Sequence, residues 1–322
     1  MKSITILMTG SGGPAVSSMI KIIKEKRRCK IICVDAYEYS SGFMLADKSY
    51  VIPMGADKKF KVAVKTIILE HNIDIVISVV DEELLIFSEL AKELNIICIQ
   101  PKKSFIEQTL DKKKCSIMLN KIGLDDLNTM LLSSIKSKNI LKLNYPLIVK
   151  PRFGRGSRGI KLVNNPKTMF SLIKKHNKNL KNWIAQDYID GIEFTVSVVC
   201  YESKTNYAII PKKIYVKEGI TKVACTSYNY EIEETCKKII KKIDPKGPFN
   251  VQCIFDKVNK NVFIFEINPR FSTSTTLTIA SGFDELNYMI DLSLGKKIDL
   301  ESKIWKNQFF MIRNYTDYFS NE

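Results

Sequence analysis

Glu266, Asn268 and Arg270 stand at alternating positions where an apolar run, Asn261-Val262-Phe263-Ile264-Phe265, comes to an end. If that run is a strand, its period of two puts all three side chains on one face. A carboxylate and an amide oxygen are hard ligands of the kind Mg²⁺ takes, and arginine adds a planar donor fork for phosphate or carboxylate. The same text also reads as a surface turn in which Asn268-Pro269 stops the strand and the charges are solvated. A second stretch carries matching chemistry: Leu147-Ile148-Val149-Lys150-Pro151 reads as a strand, followed by Arg152-Phe153-Gly154-Arg155-Gly156-Ser157-Arg158-Gly159. Glycines spaced this way give a hairpin turn, or a loop whose backbone N–H groups lie against phosphates. Three arginines and a lysine favour phosphate. No Gly-Lys-Ser/Thr enters a helix, which excludes the P-loop class.

The elements that must position these residues follow from patterning. Strands at 3–8, 30–35, 50–53, 73–80 and 96–99 alternate with helices at 15–25, 60–70 and 82–94, giving a parallel sheet with helices on both faces. Asp81, Glu82 and Glu83 follow one strand's C-terminal end. They contact a cationic substrate or simply complement a helix dipole, and both readings stand level. Gly10-Ser11-Gly12-Gly13-Pro14 with Asp35 superficially matches a dinucleotide fingerprint, but the spacing departs from GxGxxG and the proline removes an amide donor, so an NAD-dependent reductase is only an alternative. A helix opens at Asp111 and ends near Gly123. A strand, short hinge and long alternating strand span 183–199, and a hinge backbone is a usual place to read an adenine edge. Residues 207–216 carry Lys212 and Lys213, which face opposite ways on a strand; either is a candidate for holding a substrate carboxylate. One helix runs from about Thr275 through Gly282 toward Leu294, Ser272-Thr273-Ser274-Thr275 contain a helix cap, and the aromatic tail at 309–318 packs back on the body.

With 322 residues and 45% hydrophobic composition the chain buries two or three modest cores. The apolar runs are strand-length and Met1-Lys2-Ser3 leads into a strand, so a cytoplasmic protein without membrane or signal segments is expected. Eight cysteines without CxxC read as reduced and structural, and two histidines argue against zinc and histidine catalysis. The net charge of +16 reads as lysine spread in pairs through solvated helices, without the aromatic interleaving of a nucleic-acid binder.

Taken together in this order, Lys150 with the glycine loop, Gln186-Asp187-Tyr188-Ile189…Glu193, Asn250-Val251-Gln252 and Phe265-Glu266-Ile267-Asn268-Pro269-Arg270 resemble the ATP-grasp superfamily, with carbamoyl-phosphate synthase large-chain-like members nearest. The resemblance implies a mixed α/β and α+β fold. A pre-ATP-grasp, Rossmann-like parallel domain takes 1–110, a lid with the glycine loop 111–188, and a C-terminal α+β subdomain with the metal site 189–322. It implies that Lys112 and Lys150 contact phosphates, and that Gly154, Arg155, Gly156, Ser157 and Gly159 close over them. Gln186, Asp187, Tyr188 and Ile189 would read adenine through their backbone, and Glu193 would accept the ribose hydroxyls. Gln252, Glu266 and Asn268 hold Mg²⁺, with Mn²⁺ as a substitute. Most members have an acid at the Gln252 position, so the ion held by Glu266 is the better supported of two. Arg270 stabilises the transferred phosphoryl group. The implied activity is an ADP-forming carboxylate–amine ligase acting on small molecules through an acyl phosphate, compatible with a homodimer. Carboxyphosphate synthesis and non-catalytic nucleotide binding are the alternatives; the former group carries a further C-terminal domain, and the latter tends to lose the metal residues.

Overall fold

The computed structural model describes residues 3–124, 127–201 and 204–319, so Met1 and Lys2, read above as leading into a strand, lie outside it, as do residues 320–322 of the expected last domain. The first unit consists of β1 (Ile4–Thr9), α1 (Val16–Lys26), β2 (Cys29–Asp35), β3 (Lys48–Val51), α2 (Phe60–Glu70), β4 (Ile75–Ile77), α3 (Leu84–Leu94) and β5 (Ile97–Cys98). Its strands form one parallel sheet, ordered β3-β2-β1-β4-β5. Ile6, Met8 and Cys33 pack against α1 on one face, Leu7, Ile32 and Val34 against Phe60 and Phe87 on the other. Burial on both faces is why these strands read as continuous apolar runs. The switch in strand order puts the turn after β4, Asp81–Glu83, at the sheet edge where such folds receive ligands.

Next come α4 (Lys103–Thr109), α5 (Lys112–Lys121), β6 (Met130–Leu131), β7 (Leu147–Pro151), β8 (Lys161–Val163), α6 (Pro166–Lys175) and β9 (Trp183–Asp187). The four strands make an antiparallel sheet, ordered β6-β9-β7-β8. The polar text at 124–144 hides β6 and two 3₁₀ turns, Leu132–Ser134 and Ser137–Lys142, which bury Leu132 and Ile140 as isolated apolar residues with no period to reveal them. α5 packs Cys115, Met118 and Leu119 into the core of the next sheet rather than into this one. The glycine loop joins antiparallel β7 and β8, so it is a hairpin connection, which is compatible with the phosphate-loop reading. Gly154 and Gly156 hold φ of +102° and +70° with no atom within 4 Å of where a Cβ would stand; backbone conformation, not crowding, calls for glycine here.

The third sheet, ordered β14-β13-β10-β11-β12-β15, is antiparallel throughout. Its elements are β10 (Ile192–Cys200), β11 (Tyr207–Glu218), β12 (Ile220–Thr226), α7 (Tyr230–Ile243), β13 (Gly247–Asp256), β14 (Asn261–Asn268), α8 (Thr275–Ala280), α9 (Glu285–Ser293) and β15 (Phe310–Ile312). Val196, Val198 and Val251 bury against α5 and α7, while Thr195, Ser197, Asn250 and Gln252 alternate onto the other, polar face. The single helix expected from Thr275 is two helices. Gly282 at φ +114° breaks it, and Asp284 caps α9 by accepting the Asn287 amide. The tail returns to the body as β15 on β12, with Phe310 beside the Tyr215 ring and Tyr318 under Lys21, while Ile312 and Tyr315 stay 79% and 85% exposed.

Candidate functional site

Asp111 fixes the floor of the site. Its carboxylate accepts the Lys113 and Lys114 amides at the start of α5, and also takes two N–H bonds from Arg152, Nε at 2.8 Å and Nη2 at 2.7 Å. One carboxylate thus ties the first turn of α5 to the root of the glycine loop. Lys112, at that turn, donates to the Gly154 carbonyl at 2.7 Å and lies 3.9 Å from the Glu266 carboxylate. Lys150, at the end of β7, donates to the Phe265 carbonyl at 3.0 Å. A bulge makes that contact: Gln252 pairs with Glu266 and Cys253 with Ile264, leaving Phe265 as the extra residue. Burial pulls the Lys150 ammonium down to about 8, against the attraction of Glu266. Lys112, Lys150 and Glu266, with Glu82 and the loop residues Phe153, Arg155, Ser157 and Arg158, line a cleft of about 150 Å³ in which four cations face two carboxylates. Such a site draws anions.

Cross-strand pairing of Gln252 with Glu266, and of Asn250 with Asn268, places all four on one sheet face. Glu266 is the acid among them; the described residues contain no cluster of three His, Cys, Asp or Glu. One carboxylate with amide oxygens is a sparse donor set that suits Mg²⁺ or Mn²⁺ only if phosphate oxygens complete the shell. The residues fit such an ion. Asn268 Oδ1 also accepts from Arg270 Nη2 at 3.4 Å, which links this candidate ligand to the arginine.

The hinge is partly committed to its own structure. Gln186 is buried and donates through Nε2 to Thr129 Oγ1 at 2.8 Å, the Asp187 amide bonds the Leu127 carbonyl and the Tyr188 amide the Pro146 carbonyl. Of the backbone donors expected to read adenine, the Ile189 amide has no backbone partner among the described residues. Glu193 pairs with Lys217 of β11, a cation whose ammonium also lies 5.5 Å from the Phe265 ring. No motif surrounds Lys217, so nothing in the sequence signals it.

Arg270 is buried and bound on three sides. Nε donates to Asp81 at 2.6 Å, Nη1 to the Phe271 carbonyl at 3.1 Å and Nη2 to Asn268. Two of its five N–H groups remain for an incoming oxyanion. The three acids after β4 stand in a first helical turn, as the dipole reading expects, and each carboxylate also has a partner. Asp81 holds Arg270, Glu82 lies 3.6 Å from Arg155 of the glycine loop, and Glu83 is buried against Thr9 and Ser78. Asp81→Asn keeps the shape but removes the charge that orients Arg270; turnover should fall about 10- to 100-fold with nucleotide affinity unchanged, and equal losses in both would contradict the assignment.

Desolvation raises the Glu83 carboxyl to about 7 from its ordinary 4.5. A raised carboxyl stabilises the fold fully below about 4.5, and that contribution is lost as pH rises through about 7, on the order of 3 kcal/mol in all. Melting curves from pH 5 to 8 should show this decline in the parent and a flatter profile in Glu83→Gln. Identical slopes would refute it.

The profile of the ATP-grasp domain matches residues 111–274, and that of the PylC-like N-terminal domain matches residues 6–101. The chain belongs to the ATP-grasp family. It is 23% identical over 282 residues to a carbamoyl-phosphate synthase of Methanobrevibacter smithii, covering 82% of this chain and 74% of that one. It is 30% identical over 167 residues to a D-alanine–D-alanine ligase of Buchnera aphidicola, covering 46% of this chain and 54% of that one. Its fold is similar to the biotin carboxylase domain of Hydrogenobacter thermophilus 2-oxoglutarate carboxylase, solved as a dimer with MgADP and bicarbonate: TM-score 0.77 and 17% identity, covering 92% of this chain and 71% of that one.

Within the ATP-grasp fold two expectations about lysines need correction. Lys213 pairs with Phe194 on the helix-covered face and its ammonium lies over the Tyr215 ring, so it points away from the cleft. Lys212 is on the site's face but is fully buried, donating to Ser197 Oγ at 2.7 Å, Thr278 Oγ1 at 2.9 Å and the Ser274 carbonyl at 3.5 Å. All three of its protons are used, so it braces the segment after Arg270 and has none to spare for a substrate carboxylate. The expected hydroxyl cap is also different: Ser274 stands at the start of α8 without a side-chain capping bond, and Ser272 Oγ instead accepts the Ser274 amide at 3.1 Å.

Proposed function

We propose that this ATP-grasp chain is an ADP-forming ligase that activates a small-molecule carboxylate as an acyl phosphate and transfers the acyl group to an amine. The observation that carries it is the convergence of Lys112, Lys150, the glycine loop and Glu266 on one cleft, with Arg270 held beside the Glu266–Asn268 strand end. A substrate carboxylate oxygen attacks the γ-phosphorus of ATP; the bond to the β–γ bridging oxygen breaks and ADP leaves. The amine then attacks the acyl carbon, phosphate departs with the C–O electron pair, and the nitrogen loses a proton.

Lys112 and Lys150 bind phosphate oxygens, the loop amides cover them, and the two remaining N–H groups of Arg270 meet the charge that develops on the transferred phosphoryl group. Glu266, Asn268 and Gln252 would hold Mg²⁺ or Mn²⁺, which neutralises phosphate oxygens when bound. The hinge at Gln186–Ile189 receives adenine, chiefly through the Ile189 amide, and Glu193 with Lys217 stands at the ribose. No protein nucleophile is needed, which agrees with eight cysteines that are all free thiols and, where shifted, raised by burial. The described residues contain no helix long and apolar enough to cross a membrane, and we place the enzyme in the cytoplasm. Phosphate release should be screened with Mg²⁺-ATP across amino acids, dipeptides, sugar acids and bicarbonate, each with and without amines. Release that needs both a carboxylate and an amine is expected; release with bicarbonate alone would indicate a carboxylase.

A further inference from the structure

Residues 127–186 contain thirteen lysines and arginines and not one aspartate or glutamate. With 50 basic and 34 acidic residues in all, this stretch supplies thirteen of the sixteen net charges, and the rest of the chain nearly balances. A lysine-rich composition alone raises lysine everywhere; it does not remove acids from one segment. The excess read above as lysine pairs spread through helices is thereby located mostly in one segment.

Strand alternation sorts these cations onto two faces. β7 turns Lys150 to the cleft, while Leu147 and Val149 face the other way, under a layer made of α6 and the Ser137–Lys142 turn around Ile140 and Met169. Lys138, Lys142, Lys167, Lys174, Lys175 and Lys178 stand exposed on that layer, and none has an ion-pair partner among the described residues. In the first unit acids stand among the lysines and several pairs form: Lys24 with Asp47, Lys61 and Lys103 with Glu89. The layer lies on the far side of the lid sheet from Lys150. The lid sheet stands between these charges and the cleft, and a layer packed on a sheet lies about 10 Å from it, beyond the roughly 8 Å screening length of physiological salt, so attraction of nucleotide does not account for them.

Two apolar side chains stand among the lysines, Leu141 at 72% and Phe170 at 43% exposure. Every cation of the layer is lysine, a hydrated point charge without the fork by which arginine reads bases and phosphodiesters. Lysines surrounding projecting apolar groups suit a flat anionic boundary, with ammonium groups at headgroup level and the apolar tips below it. We propose that this outer face of the lid docks on the surface of an anionic lipid bilayer. The face leaves the cleft open, and the proposal is independent of which carboxylate is activated.

Sedimentation of the full chain with phosphatidylcholine vesicles containing about 30% phosphatidylglycerol tests it, with pure phosphatidylcholine as the comparison. Pelleting is expected only with the anionic vesicles in about 0.1 M salt, with release near 0.5 M. The triple variant K167Q/K174Q/K175Q should bind about a hundredfold more weakly, and Phe170→Ser several-fold more weakly, at unchanged MgADP affinity. K138Q/K142Q provides the same test from the neighbouring turn. Absence of pelleting, equal pelleting with neutral vesicles, or parent-like binding by the lysine variants would overturn the proposal. So would binding of a single-stranded oligonucleotide that needs these lysines while vesicles are ignored.

Discussion

Glu266→Gln is expected to reduce ADP formation at least about a thousandfold while leaving the fold intact. Glu266 is the one carboxylate in a donor set otherwise made of amides, so in the proposed reaction its replacement removes the negative charge that would recruit the divalent ion. The same change leaves Lys112, 3.9 Å away, without its counter-charge and free to meet phosphate. The two effects have opposite signs for binding. ADP alone should bind Glu266→Gln as well as the parent or better, whereas the gain in affinity on adding Mg²⁺ should vanish. Titrations of ADP with and without Mg²⁺ read this directly. A variant that keeps its Mg²⁺ dependence would show that the ion is held elsewhere.

Lys150→Met should lower the specificity constant for ATP by about 10²- to 10³-fold, because a buried ammonium facing phosphate has no solvent to substitute for it. The pH dependence separates this role from simple packing. Burial holds Lys150 down to about 8, so in the free protein it is a cation below that pH and neutral above it. Nucleotide affinity should be flat below pH 8 and fall about tenfold per unit above it, until the ammonium also titrates in the complex, where the phosphates raise it. Lys150→Met should bind weakly at every pH without that break. A parent profile flat to pH 10 would remove Lys150 from the phosphate site.

How much of this was legible in the sequence depends on the distance between partners. Glu266, Asn268 and Arg270 share a face because of strand alternation, which is local, and the glycine loop declares itself by composition. The α5 cap at Asp111 is equally local. Asp81 and Arg270 are 189 positions apart, and nothing in either segment announces the other; the local pattern shows the acids as a first helical turn but not the arginine that Asp81 holds. Lys217 was invisible for the same reason. The bulge at Phe265 that delivers a carbonyl to Lys150 is a one-residue irregularity that apolar patterning does not show. Lys212 and Lys213 were known to face opposite ways, but only packing decides that the inward one is already saturated. The break between α8 and α9 was written in Gly282 and Asp284, a glycine and a cap inside a run whose apolar period continues across them. The acid-free stretch was countable from the start, but charge totals taken over the whole chain concealed it.

The central claim is that a carboxylate is activated by phosphoryl transfer in this cleft. It is tested most directly by supplying the carboxylate identified in the phosphate-release screen with both carboxyl oxygens as ¹⁸O, together with Mg²⁺-ATP and the amine, and examining the released phosphate by ³¹P NMR. One ¹⁸O per phosphate, appearing in step with ADP, is the predicted result, since the acyl phosphate passes a carboxylate oxygen to phosphorus before the amine displaces it. Phosphate free of ¹⁸O, formed at the same rate, would mean that ATP is cleaved by water and that the cleft does not activate a carboxylate.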